Sequence, residues 1–523
     1  MDETNGDHTR PAPTRRRLLA GLAGGSVVGI AGCADGASDH TGEKTITIVP
    51  PLNPADSTDR WDRWGGMTPY WTRVVEPLVW GTEEMQPKPW LATDWEPTGD
   101  TTWVFELREG VRFHNGEELT SDDVVHSYEN DILERYGDFV YGWLHLEPGS
   151  VEKIDEYTVE FTTTDPFPDF PGTIGHNMLD IHPPSADPWN GDVVGTGPFT
   201  LEQVENGQYV ELGTHDEYWG GDVEPDGLTF RAAEDETTRT NLLESGDADV
   251  VFEPAKPRLG SLRERDEYTV ATQQSSGSTF VSCNLYREPT DDADLRRALN
   301  YAVSQSEIVD EVLNGLGKPA RGPISTVIDW AAYDDLPAYE RDHGTARDLV
   351  ADSSYDGEEL TCLVRNDRDD DDLIAQVLQS EFAAVGVDLD IDVLERAAYQ
   401  DRTGRGEFHL AVDGTQSNSP GADYLMWENF HSRGIDNVDR YESDGTGLFN
   451  LGGEVDDRIE TGFQSYDPEQ RREAYLEAQR RIVEEAVVIP IAYREYAVAM
   501  DADLEGIDLH PIDRLLEWRT LSR

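Results

Sequence analysis

"TTWVFELREGVRFHNGEELTSDDVVHSY" (Thr101–Tyr128) passes from the period of a strand to that of a helix within one short segment. Trp103, Phe105 and Leu107 fall on one face of a strand. Asn115-Gly116 supplies a turn, and Thr120-x-x-Asp123 has the form of a capping box that opens a helix. A strand, a turn and a helix in direct succession point to mixed α/β structure.

The same alternation extends along the chain. "TITIVPPLNP" (Thr45–Pro54) reads as a strand that stops at prolines. The pattern predicts a helix over Asp294–Asn314, with Leu295, Leu299, Ala302 and Val309 on its buried side and Gly315 at its end. A second helix, Asp372–Val385, hands over at Gly386 to a strand, Val387–Leu394. A third starts with Asp467 as N-cap and Pro468 at N1, runs to about Glu485, and precedes the strand "VVIPIAYREYAVAM" (Val487–Met500). Helices interleaved with strands indicate α/β domains.

The N-terminus has the layout of an export signal. Arg15, Arg16 and Arg17 precede an apolar or small run, Leu18–Ala31, too short for a bilayer that needs roughly 20 residues. "TRRRLLA" (Thr14–Ala20) resembles a twin-arginine signal, and "IAGC" (Ile30–Cys33) resembles a lipobox, in which cleavage before the cysteine exposes it for lipidation. Cys33 is therefore expected to be a lipid attachment point, with residues 1–32 as signal peptide and 33–43 as a flexible tether. Cys283 and Cys362 lie far apart and outside any C-x-x-C spacing, which leaves them as buried free thiols.

The chain holds 106 acidic and 42 basic residues, and only five of the basic ones are lysine. With 13 Trp, 20 Tyr and 15 Phe it has the residues to build cores, so the charge is not that of a disordered chain. A surface of carboxylates with almost no lysine suits molar salt, where the Debye length falls to about 3 Å. Nucleic-acid binding, which needs a basic face, is excluded. Neighbouring carboxylates are weak evidence for a glycosidase or a calcium loop, and "RNDRDDDDL" (Arg365–Leu373) reads as a solvated helix start. None of the common hydrolase, zinc-protease, phosphate-loop or EF-hand motifs is present. The reading is a chain without enzymatic activity, cofactor or metal.

"EMQPKPWLATDWEPTGDTTWVFELREGVRFHNGEELTSDDVVHSYEN" (Glu84–Asn130) resembles the signature of extracytoplasmic solute-binding proteins of family 5, the dipeptide, oligopeptide and nickel-binding subunits of ABC importers. The matching positions are Pro89, Leu91-Ala92, Trp95, Phe105, Leu107-Arg108, Gly110-Val111, Phe113-His114, Gly116, Thr120 and Asp123-Val124, with Ser121 in place of the usual alanine. "VGTGPF" (Val194–Phe199), "EYWGG" (Glu217–Gly221), "SGDADV" (Ser245–Val250), the segment Asp294–Pro323 and "VVIPI" (Val487–Ile491) continue the resemblance in order.

That resemblance implies a two-lobe, Venus-flytrap fold of the periplasmic-binding-protein type with discontinuous lobes. Lobe I would take 44–66, 196–284 and 489–523, an inserted subdomain 67–195, and lobe II 285–488, with crossings near Asn284 and Val488. A solute in the cleft would be delivered to membrane permease subunits by hinge closure, by a receptor that is a monomer. The first choice of solute is a peptide. An oligosaccharide or other organic solute, a nickel chelate, or a chaperone or sensor role without transport stay open. In peptide receptors of the family an aspartate in a "W-x-x-D-Y-P-D-P"-like loop binds the ligand's α-amine. The matching stretch is "VDGTQSNSPGADYLMWENF" (Val412–Phe430); one alignment puts Ser417 at that aspartate, another leaves Asp423 to serve. The expected ligand-binding residues are Asn53 and Trp64 after the first strand, Phe280, Ser282 and Asn284 in "TFVSCNLY", and Thr415, Gln416, Ser417, Asn418 and Asp423 opposite them.

Overall fold

The alternating "TITIV" forms β1 (Thr45–Val49), burying Ile46 and Ile48. The computed structural model of the protein describes residues 45–53, 71–176, 178–186, 193–368, 370–434, 437, 451–513 and 515–523. The expected signal and tether, Cys33 and Trp64 lie outside the described residues. Among those residues no helix is long and apolar enough to cross a membrane.

After β1 come four strands, β2 (Ala92–Pro97), β3 (Thr102–Leu107), β4 (Val151–Asp155) and β5 (Thr158–Thr162), which form a separate sheet in the order β2-β3-β5-β4. Trp103, Phe105 and Leu107 all point inward as expected and meet Phe161 and Phe167. The capping box is present: the Thr120 backbone N–H donates to Asp123 Oδ2 at 2.7 Å and opens α1 (Ser121–Val125). A π-helix (His126–Leu133) continues α1 without a break. A single short turn, α2 (Phe170–Thr173), follows β5.

The main sheet has ten strands on one path, and an eleventh, the short Gly317–Pro319, pairs with Val488–Asp501 off that path. It starts with β6 (Phe199–Glu205), β7 (Tyr209–Thr214) and β8 (Gly227–Arg231), then β1, then β9 (Val250–Phe252). β10 (Tyr268–Cys283), β11 (Leu360–Arg365), β12 (Leu389–Leu394), β13 (Leu410–Thr415) and β14 (Val488–Asp501) complete the path β6-β7-β8-β1-β9-β14-β10-β13-β11-β12. At 16 and 14 residues β10 and β14 are far longer than an ordinary strand of about 5–6. The extra length lets both serve two cores. Tyr496, Val498 and Met500 of β14 pack with Ile46, Phe230 and Trp518 in one. Ile489 and Ile491 of the same strand, with Val281 and Cys283 of β10, pack against Leu299, Phe382 and Val364 in the other. Between the cores the pairing of β10 with β14 shifts: residues 275–277 face Arg494 alone, a bulge of three against one.

Helices cover the second core. The helix expected over Asp294–Asn314 is two. α3 (Ala293–Ala302) ends at Val303, whose extended backbone stops it, and Ser304 accepts the Glu307 N–H to cap a new helical segment from Gln305 to Val312. The capping chemistry of "SQSE" overrides the apolar period that runs through it. α4 (Asp371–Val385) ends at Gly386 with φ +90°, the left-handed conformation glycine adopts without strain. α5 (Tyr424–Phe430), α6 (Gly453–Gln464) and α7 (Pro468–Glu484) follow, the last capped as expected by Asp467, which accepts from Glu469 and Gln470 N–H. The helix start at 365–373 is not simply solvated. Asp371 is buried, with its carboxyl pushed up to about 6, and Asp370 is paired with Lys256. Cys283 and Cys362 are free and buried, and burial pushes both thiols up to about 12.

Candidate functional site

Four residues from three of the sequence landmarks converge on one buried carboxylate. Glu76 Oε1 accepts from Trp90 Nε1 at 2.9 Å and Tyr218 Oη at 3.0 Å; Oε2 accepts from Thr196 Oγ1 at 2.8 Å and Trp219 Nε1 at 2.9 Å. Burial raises the Glu76 pKa, against the pull of nearby Arg73 and of the donors. The glycines of "VGTGPF" have a steric reason: a Cβ on Gly195 would overlap the carbonyl of Val74, and one on Gly197 that of Arg73. His114 of the "FH" pair reads the same turn. Burial lowers its pKa to about 4, so the ring is neutral; Nδ1 accepts the Gly195 N–H at 3.3 Å and Nε2–H donates to Gly197 O at 3.0 Å. These landmarks tie the segment around Trp90 to Glu76, beside Val74 and Val75 of the first core.

The polar groups that could meet a solute lie at the shift in β10 and β14. Ser278 Oγ and Thr415 Oγ1 lie 2.9 Å apart, and both are within hydrogen-bond reach of Pro323 O, at 2.5 and 3.0 Å. Ser276 Oγ donates to Ser417 O at 2.7 Å, and Gln274 Nε2 to Thr326 Oγ1 at 2.8 Å. Gln416 Nε2 reaches Asp513 Oδ1 at 3.3 Å, tying "DGTQSN" to the C-terminal segment. Arg494 is exposed beside the bulge, and its charge acts on the half-buried Glu253 and on the buried Asp371. Asn418 gives its N–H no freedom, since it donates to Tyr424 Oη at 3.0 Å, but its Oδ1 is shielded from water without a hydrogen-bond partner. The seam is packed shut: Ser276, Ser278, Thr415 and Ser417 are all buried.

Of the residues expected from the sequence, Thr415, Gln416, Ser417 and Asn418 line this seam together. Phe280, on β10, is buried against Phe430, and Asn284 is a brace, its Nδ2 donating to Gly406 O and Phe408 O. Ser282 is buried with its Oγ unpartnered. Asn53 follows β1 and is half-buried. Asp423 is fully buried and accepts from Arg471 of α7 at 2.5 Å. Beside it Asp169, preceding α2, accepts the N–H groups of Ala422 and Asp423 at 2.9 and 3.2 Å. The backbones are so close that a Cβ on Gly172 would lie 2.8 Å from Gly421 Cα. Burial, then the charge of Asp423, pushes the Asp169 carboxyl up to about 8.

Sequence reasoning missed Gln274, Ser276, Ser278, Arg494 and Asp513. The signal was there in "QQSSGST" (Gln273–Thr279), a polar run with a glycine inside an otherwise apolar strand. A hollow of about 340 Å³, walled by Ser304, Tyr333, Tyr339, Arg341 and Pro490, takes all its walls from the second core's side and none of the expected residues. It is not a cleft between cores.

Two cores that share two long strands, with a polar seam at the strand shift, define a two-lobe binding protein. The model of bacterial extracellular solute-binding proteins, family 5 Middle, matches residues 86–437, and the chain belongs to that family. It is 25% identical over 490 residues to the probable D,D-dipeptide-binding periplasmic protein DdpA of Escherichia coli K12, covering 90% of this chain and 92% of that protein. Its fold is similar to that of DppA from Helicobacter pylori in complex with peptide STSA, with TM-score 0.78, 21% identity and coverage of 91% and 98%. NikA from Staphylococcus aureus in complex with Ni(L-His)2 has TM-score 0.77 and 20% identity, covering 92% of this chain and 100% of NikA.

Proposed function

We propose that the protein is the substrate-binding lipoprotein of an ABC importer, capturing a peptide outside the cell and delivering it to permease subunits by lobe closure. The observation that carries this is the seam itself: β10 and β14 tie the cores together and lose register at 275–277, directly beside Gln416–Asn418. A bulge interrupts the ladder between the two strands and gives the pair a local place to bend. The lobes are those expected from the sequence, 44–66 with 196–284 and 489–523, the insert 67–195, and 285–488, with the flexure inside the strands rather than at their ends.

A peptide is favoured because DdpA is named for a D,D-dipeptide, because DppA is solved in complex with the peptide STSA, and because Asn418 Oδ1 is an acceptor without a partner that a ligand ammonium group could take. Asp423 is engaged by Arg471, so the amine would be met at Asn418 Oδ1. The anchor is Cys33, behind a twin-arginine signal. The acid-rich, lysine-poor body serves a monomer working in molar salt.

The deciding experiment is mass spectrometry of solute released from protein purified in high salt. Short peptides are the expected finding. A sugar or nickel chelate, with no calorimetric heat on adding peptides, would overturn the ligand assignment. A Cys33→Ser variant that stays in the membrane would overturn the anchor.

A further inference from the structure

The π-helix in the inserted subdomain brings together residues that no α-helix would. His126 and Asp131 are five apart, which on an α-helix places them about 140° apart around the axis. In a π-turn, closed by i→i+5 hydrogen bonds, positions i and i+5 stack on one face. His182, in the segment after the short strand Asp180–Ile181, comes up against that face. His126 Nε2 lies 3.7 Å from Asp131 Oδ2, and His182 Nε2 contacts the same oxygen. One ligand-type atom from each of the three residues lies within 4.8 Å of the other two.

We propose that His126, Asp131 and His182 form a binding site for a late first-row divalent ion, Zn(II) in the first place, outside the solute cleft. Two imidazole nitrogens and one carboxylate oxygen are the donor set such ions take, with a fourth position left for water or an exogenous ligand. Bonds of 2.0–2.1 Å put tetrahedral donors about 3.3 Å apart, so His126 Nε2 moves in while His182 Nε2 and Asp131 Oδ2, now in direct contact, part to admit the ion. The supports are present. Ser127 Oγ accepts the His182 backbone N–H at 3.1 Å and fixes that segment against the helix, and Asp131 Oδ1, not Oδ2, faces Arg135 Nε at 3.5 Å. Binding replaces the hydrogen bond between His182 Nε2 and Asp131 Oδ2, and its proton leaves to solvent. His182 and Asp131 are held and shielded, at 5% and 13% side-chain exposure, while His126 at 25% faces the entrance and supplies the closing movement. The ion would staple the π-helix to the segment that leaves the short strand.

The test titrates ZnCl2 into full-length protein without an affinity tag, by calorimetry, with Co(II) absorption as a reporter of tetrahedral nitrogen and oxygen ligation. One ion per chain is expected, together with a rise in Tm. His126→Ala, a partly exposed position that leaves the fold intact, should lower affinity by at least the roughly 10–100-fold that losing even a supporting residue costs such sites. It should also abolish the Tm rise while solute binding is unchanged; Asp131→Asn should behave likewise. No heat and no Co(II) spectrum in the wild type, or Zn(II) binding that His126→Ala leaves unaltered, would overturn the site. In the latter case the ion sits on other histidines.

Discussion

Trp219 Nε1 donates to Glu76 Oε2 at 2.9 Å, joining the aromatic of "EYWGG" to a carboxylate over 140 residues earlier. Trp90 and Thr196, from two other landmarks, complete the same hub. Family landmarks far apart in the chain are therefore parts of one structural device, a buried carboxylate with four donors.

Glu76→Gln should be strongly destabilising. An amide turns one accepting oxygen into a donor facing two donors, which leaves buried groups unpaired at a cost of roughly 2–4 kcal/mol. Denaturant unfolding at constant salt measures it; a change below about 0.5 kcal/mol would remove the hub from the stability argument.

Gly197→Ala should prevent folding into the native arrangement, because its Cβ overlaps the Arg73 carbonyl and the backbone there has no room to give. The readout is yield of soluble protein with native near-ultraviolet dichroism. A normal spectrum and Tm would show that the Val74 segment can move.

The Asp169 carboxyl titrates with a pKa raised to about 8. The native state keeps a proton that the unfolded chain releases near 4, so this group's stabilising effect is complete at low pH and declines as pH rises from about 4 to about 8. Asp169→Asn stays neutral throughout and should flatten the fall of Tm over that interval. Parallel Tm curves for the two proteins would refute the assignment.

Asn418→Leu should separate stability from binding. Its Oδ1 has no partner, so removing it relieves a desolvation cost and holds or raises Tm, yet it removes an acceptor from the seam. Affinity for the peptide recovered from the native protein should fall about tenfold. Loss of stability with unchanged affinity would place Asn418 among the structural residues.

Lys256 Nζ reaches Asp370 Oδ2 at 2.7 Å, between the turn after β9 and the start of α4. This partly buried pair joins the two proposed lobes. Lys256→Met should weaken ligand binding two- to fivefold, the effect of roughly 0.5–1 kcal/mol, and enlarge the radius of gyration without ligand. Equal scattering curves and affinities would show that it does not bias closure.

Local chemistry made much of this protein legible in advance. The face of Trp103, Phe105 and Leu107, the capping box at Thr120, the Asp467 cap and the Gly386 stop each depend on contacts within a few residues. The family landmarks stood out for a different reason: the Glu76 hub and the turn at Gly195–Gly197 leave so few alternatives that the residues there are recognisable on sight. Long-range decisions were not legible. Whether Asp423 is free or held by Arg471 depends on how α7 packs. Whether Asp371 is solvated or buried depends on which side of α4 meets the second core. His126 and Asp131 share a face only because α1 widens into a π-helix, a choice set by packing in the subdomain. Residue types and short spacings are fixed by covalent neighbours, whereas the environment of a charged or polar group is decided by what the tertiary fold brings against it.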